Sequence, residues 1–154
     1  MAIAAGVVIV ALAVVVIILE RNKKTTTVAP IAAAADAYAD SLPISGIAMS
    51  ESANLAGGKV TYLDGHIANK GSRTVTGITV QVLFRNSAQE VAQNDPPQQM
   101  KFIRTRDPYI DVEPVSATPL KPGGERDFRL VFDAVTPDWD GAYPQIRILH
   151  VQVQ

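Results

Sequence analysis

Apolar residues run from Ala2 to Leu19 without one charged position, 18 residues that show no polar alternation. As a helix, such a run spans roughly 27 Å, about one bilayer hydrocarbon core. A secretory signal places basic residues before the run and a small-residue cleavage site after it. Here no Lys or Arg precedes the run, and it closes on Val16-Ile17-Ile18-Leu19. The pattern predicts a retained transmembrane helix. Arg21, Lys23 and Lys24 follow at once. By the positive-inside rule they place the remainder on the cytoplasmic side of the cell (inner) membrane, with the periplasm as the alternative.

Residues 25–43 form a tether rich in Ala, Thr and Pro. Pro30 suits the first turn of a short helix and Pro43 its end. Ile31, Ala34, Ala35, Tyr38 and Leu42 then share a helical face. Two readings stand: a flexible spacer, or a short helix docking on a partner or along the membrane.

Beyond residue 44 the period drops to two. The run 58–67 carries Val60, Tyr62 and Ile67, and a turn follows at Asn69-Lys70-Gly71. Over 74–84, Ile78, Val80, Val82 and Phe84 alternate with Thr79, Gln81 and Leu83, the pattern of a half-buried strand. Shorter strands are predicted at 90–92 and 98–104, and a long irregular loop with three prolines at 105–119. Leu120-Lys121-Pro122-Gly123-Gly124 reads as a turn. Strands at 126–133 and 145–153 close the chain around a loop that holds Trp139. About seven short strands with frequent turns predict an immunoglobulin-like antiparallel β-sandwich over 44–154, after an anchor at 1–24 and the tether.

Charge and composition narrow the function. The net charge of −1 favours neither nucleic acid nor a strongly charged partner. The chain has no cysteine, so disulfides, thiolate metal sites and acylation at Cys are excluded. The core must stand on packing alone.

Several constellations invite a chemical reading. His66 and His150 fall on different predicted strands without metal-motif spacing. Asp138, Asp140 and Gly141 offer too few oxygens for calcium and read better as a turn with Asp side chains capping backbone groups. Asp107, Asp111 and Glu113 read as a solvated acidic loop. Lys101, Arg104 and Arg106 lie near Phe102 and Tyr109. With Phe102, Arg104 and Arg106 on one face they suggest a patch for lipid headgroups or an acidic subunit, against the plainer reading of a charged strand face. Trp139 and Tyr143 serve either as an interface anchor or as a plug at the end of the sandwich. The plug is preferred because Pro144 fixes the loop against the last strand.

The stretch "YLDGHIANKGSRTVTGITVQVLFRNS" resembles FxLYD-type immunoglobulin-like domains of bacteria. More closely, the chain is similar to an uncharacterised bacterial family with an N-terminal helix and such a domain. The resemblance rests on Tyr62, Asp64, Gly65 and Asn69; on Arg106, Pro108 and Tyr109; on Leu120, Pro122 and Gly123; and on Asp138, Trp139, Tyr143 and Pro144. It spans about 59–150 and supports the fold while implying no activity. Physically, Asn69 and Gly71 suit a turn with positive φ, and Pro122-Gly123 a tight connection.

The expectation is a non-enzymatic, single-pass accessory subunit, without cofactor, that packs on and stabilises a larger membrane-protein complex. A photosynthetic or respiratory assembly is an analogy for the host. Its interface candidates are Ile31, Tyr38, Leu42, Phe102, Arg104, Arg106, Tyr109 and Trp139, with membrane lipids as further partners. The alternative is a free-standing anchored module that binds a ligand or polymer in an aromatic-lined pocket near 105–119 or 138–144.

Overall fold

The computed structural model describes residues 36–53 and 57–154. The predicted span 2–19, its flank Arg21, Lys23 and Lys24, and Ile31 lie outside the described residues. Among those described, no helix is long and apolar enough to cross a membrane.

Among the described residues, nine strands follow a 3-10 turn at Ala39–Ser41. They are β1 (Ile44–Ala53), β2 (Lys59–Ala68), β3 (Val75–Arg85), β4 (Val91–Asn94), β5 (Gln98–Gln99), β6 (Lys101–Thr105), β7 (Asp111–Pro114), β8 (Glu125–Phe132) and β9 (Gln145–Val153). One sheet has the order β1-β2-β8-β6-β7. The other centres on β3, with β9 on one side and β4 then β5 on the other. All pairings are antiparallel.

The two sheets share one core, the arrangement of a β-sandwich. Leu63, Ile67, Phe102, Phe128, Leu130 and Phe132 from the first sheet meet Ile78, Val80, Val82 and Phe84 from β3, with Ile148 and Val151 from β9. The period-two alternation of β3 is thus the core face. Each fully buried Leu, Ile or Phe stabilises the fold by about 1.5–3 kcal/mol. Phe84 meets Phe132 edge to face, with ring centroids 5.1 Å apart.

Within 98–119 the chain departs from the predicted elements at three places. The predicted strand 98–104 is divided at Met100, which is buried and donates its N–H to the Ile78 carbonyl. There the chain passes from the β3 sheet to the β8 sheet. The register then slips between Ile103 and Thr105, so Arg104 is the extra residue of a bulge. Phe102 therefore faces the core while Arg104 and Arg106 face solvent, and the predicted common face does not exist. Third, the predicted loop 105–119 contains β7, in which Val112 pairs with Ile103.

One end of the sandwich is closed by residues that arrive from the tether. Leu42 is buried in the core and Tyr38 packs against it. The Tyr38 hydroxyl lies 3.1 Å from Asn69 Oδ1 and from the Arg73 carbonyl, and accepts the Arg73 N–H at 3.0 Å. Asn69 is fully buried, and its amide donates to the carbonyls of Arg73 (2.8 Å) and Leu120 (3.0 Å). Neither Asn69 nor Gly71 has positive φ, contrary to the expectation from sequence. Asn69 is present for its amide. Gly71 is present for space, since a Cβ there would sit 2.2 Å from the Tyr38 hydroxyl oxygen. Gly123 does have positive φ, 73°, and follows Pro122 in a turn closed by Gly124 N–H donating to the Lys121 carbonyl.

Candidate functional site: a charged ladder on the five-stranded sheet

The face of the β1-β2-β8-β6-β7 sheet that points away from the core carries alternate residues of β2 and β8. The strand register sets Asp64 opposite Arg129 and His66 opposite Asp127. Arg129 forks onto both oxygens of Asp64, at 2.6 and 2.8 Å. Its guanidinium also lies 4.6 Å from the centre of the Tyr62 ring. Both members of the pair are largely shielded, with 14% and 19% of their side chains exposed. The fork raises the Arg129 pKa further, so this cation is permanent.

The ladder continues through shared partners. Arg106, from the turn after β6, donates to Asp127 at 2.8 Å and reaches Asp64 at 3.8 Å. His66 sets Nδ1 3.0 Å from Asp127 and Nε2 3.3 Å from Glu125. An imidazole with both nitrogens against carboxylates donates from both only when protonated. Its pKa is accordingly raised, chiefly by the bond to Asp127 and then by Glu125, against some desolvation. Asp127 is held below the usual carboxylate range, first by Arg106 and then by His66. Lys70 closes the row on Glu125 at 3.6 Å.

Chemically, each acid in this row is matched by a base. A nucleophile or general acid–base pair needs a group left available and a cleft to work in. The ladder holds its groups against one another on an open sheet face. It offers a surface patterned with paired charges.

The sequence-predicted residues scatter around this frame. Phe102 and Leu42 are core residues and present no surface. Tyr38 is taken up by the Asn69 hub, so its hydroxyl is engaged internally. Arg104 pairs with Asp111, and Arg106 belongs to the ladder, so the predicted basic patch is largely neutralised from within. Glu113 accepts from the Thr118 hydroxyl. Trp139 packs on Phe84, with centroids 5.6 Å apart, and its indole N–H donates to the Ala142 carbonyl at 2.9 Å, whereas Tyr143, expected to plug the same end, stays outside the core because its ring points to solvent. Tyr109 and Tyr143 are exposed, at 81% and 69%. Asp140 caps the Ala142 N–H, as the turn reading expects. His150 sits in the other sheet from His66 and lies 3.4 Å from Asp36.

Single-residue reasoning missed the ladder. The signal was present as the alternation Tyr62, Asp64, His66 in one strand and Glu125, Asp127, Arg129 in another. Only the pairing register joins the two rows.

With this geometry in view, a family comparison is decisive for kinship. Residues 10–144 match the model of a family described as Protein of unknown function (DUF2393). The chain belongs to the DUF2393 family. The DUF2393 match begins inside the apolar run, passes through the tether and the ladder strands, and ends at Pro144. No curated protein and no solved structure matches the chain.

Proposed function

We propose that this DUF2393 chain is a non-enzymatic, single-pass membrane subunit. Residues 2–19 anchor it, and its sandwich, of FxLYD-like immunoglobulin type, packs on and stabilises a larger membrane-protein complex from the cytoplasmic side. The observation that carries this reading is the ladder itself. Its polar groups are satisfied by one another on an open face, in a chain whose first residues form an 18-residue apolar run followed by Arg21, Lys23 and Lys24. Such a surface suits contact with a protein partner better than turnover of a substrate. That one family match extends from residue 10, inside the run, through β8 to residue 144 supports treating the two as one device.

The test is isolation of the full chain by a C-terminal tag from membranes solubilised in mild detergent, with mass spectrometry of what travels with it. Stoichiometric recovery of a large complex is the expected result. A protein that runs alone at its own mass removes the subunit reading.

A second reading has one observation in its favour. A shallow recess at the far end is lined by Arg85, Gln89, Asp140, Ala142, Tyr143 and Gln145. It fits an anchored module that holds a small polar ligand beside an aromatic ring. Protein recovered alone, together with a ligand-induced shift confined to these residues in an NMR titration, would favour that module.

A further inference from the structure

A sheet keeps other strands off its edges by short length, proline, charge and bulges. Most edges of this sandwich use such devices. β7 is four residues long, carries Asp111 and Glu113, and ends at Pro114. β4 and β5 are short, with Pro96 and Pro97 between them. β9 carries Arg147 and His150, slips register at Leu149, and gives its Val151 N–H to Asp36. β1 is protected only in its first half, where Gly46, at φ 61°, and Ile47 together oppose Gly65 as a bulge. Residues 48–52 then run in unbroken register with β2, without proline or lysine. Their one charge, Glu51, is held by Lys59 at 3.0 Å.

The ladder bonds show which groups this edge leaves open. The Ala68 N–H goes to the Pro43 carbonyl, so the even-numbered residues of β2 turn their backbone toward β1. Ala48, Ser50 and Ser52, opposite Asp64, Tyr62 and Val60, are therefore the bonded members of β1. Met49 and Glu51 turn N–H and C=O outward, where no strand pairs with them among the described residues. Only another strand satisfies such a row, and the side chains suit a copy of the same one. A two-fold axis at Ser50 sets Met49 against the partner's Glu51 and Ala48 against the partner's Ser52. No like charges then meet, and each of the two Met49–Glu51 pairs exchanges both of its bonds. Centred on Glu51, two carboxylates collide. Centred on Met49, Glu51 falls against the bulge at Ile47, and centred on Ser52, Met49 lies past the end of the partner's strand. The same operation on β9 about Arg147 opposes two guanidinium groups. A net charge of −1 leaves two copies little mutual repulsion, and the ladder charges are paired within each copy.

We propose that this chain pairs with a second copy of itself through β1, antiparallel and about a two-fold axis at Ser50, which joins two five-stranded sheets into one. The pairing is independent of the host complex. It sets two charged ladders side by side on one continuous face.

The chain has no cysteine, so one introduced cysteine can form a disulfide only with its own copy or a foreign thiol. Full chain with Ser45→Cys, Ser50→Cys or Ser52→Cys is treated with a mild oxidant in the cell fraction that holds it, then run on a non-reducing gel. The axis brings the two Ser50 Cα atoms to about 4.5 Å, within disulfide reach. The two Ser52 positions stand about 13 Å apart and the Ser45 positions farther still. The expected result is a band at twice the chain's mass for position 50, absent for 45 and 52. Glu51→Pro in the Ser50→Cys chain removes an outward N–H that β2 does not use, so the band should vanish while the urea midpoint shows the body still folded. Glu51→Lys, an exposed change without backbone adjustment, should weaken the band as well. No band at 50 overturns the pairing. Equal bands at all three positions report random collision and overturn it too, as does a band at 52 in place of 50. A band that survives Glu51→Pro in a folded chain also overturns it. A dimer recovered with no larger complex removes the subunit reading above and leaves the β1 pairing standing.

Discussion

Asn69 shows how much one side chain settles in this fold. Its amide and carbonyl oxygen tie together the segment before β1, the turn after β2 and the segment before β8, and it is fully buried. Asn69→Ala leaves the carbonyls of Arg73 and Leu120 and the N–H of Gly71 without their partner. The cost of orphaned buried groups predicts a loss of about 2–4 kcal/mol, read from urea denaturation. Tyr38→Phe removes only the hydroxyl and should cost about 1 kcal/mol. Equal losses for the two variants would show that the amide is not the hub. Gly65 acts through absence: a Cβ there would lie 2.5 Å from Phe128 Cζ and 2.9 Å from Ile47 Cδ1. Gly65→Ala is expected to lower stability by about 1–3 kcal/mol, because buried Phe128 has nowhere to retreat. Thermal denaturation indistinguishable from wild type would contradict this.

The strands were the most legible elements, and the reasons are local. β9 coincides with the predicted 145–153 because Pro144 bounds a continuous run rich in Ile and Val. The β3 core face was readable because every second residue is large and apolar. Bulges were not readable. The slips at Arg104 in β6 and at Leu149 in β9 reverse parity without any residue that announces it. The ladder was hidden for a stronger reason: Asp64 and Arg129 stand 65 positions apart, and their meeting is a property of sheet order. That pairing makes two predictions. Arg129→Lys keeps the charge but loses the fork and the contact with Tyr62, so it should cost about 1–2 kcal/mol by chemical denaturation. A lysine variant as stable as wild type would mean that charge alone suffices. His66, held protonated above its ordinary 6.5, contributes stability that is complete below about pH 6.5 and is lost as pH rises through the raised native value. Asp127 and Asp36, both lowered below 3.8, contribute stability present above that pH and lost in acid. Urea midpoints of wild type should therefore fall between neutral and mildly alkaline pH, and His66→Gln should flatten that fall. An unchanged slope in the variant would assign it to other groups.

For the whole molecule, the folded body begins before Ile44. Asp36, Tyr38 and Leu42 fall in the stretch read from sequence as tether, because an Ala-rich segment bounded by prolines carries no sign of which residues will be buried. A chain starting at 44 loses Leu42 from the core and the Tyr38 and Asp36 bonds. It is expected to be at least about 3 kcal/mol less stable than one starting at 34, by the same denaturation. Equal midpoints would make residues 36–43 a passive leader.

Asp36 gives that boundary a mechanical meaning. One carboxylate oxygen accepts the Tyr38 N–H and the other the Val151 N–H of β9, each at 2.9 Å. A tug arriving along the chain from the side of residue 35 is therefore met first by this clasp, and passes into β9, which is bonded along its length to β3. Without it, the same tug would fall next on the Tyr38 bonds and buried Leu42, and once these gave way on β1, the outer strand of the other sheet, which would peel from β2 one bond at a time, like a zip. The sandwich is gripped through its last strand and shielded from being unravelled from its first.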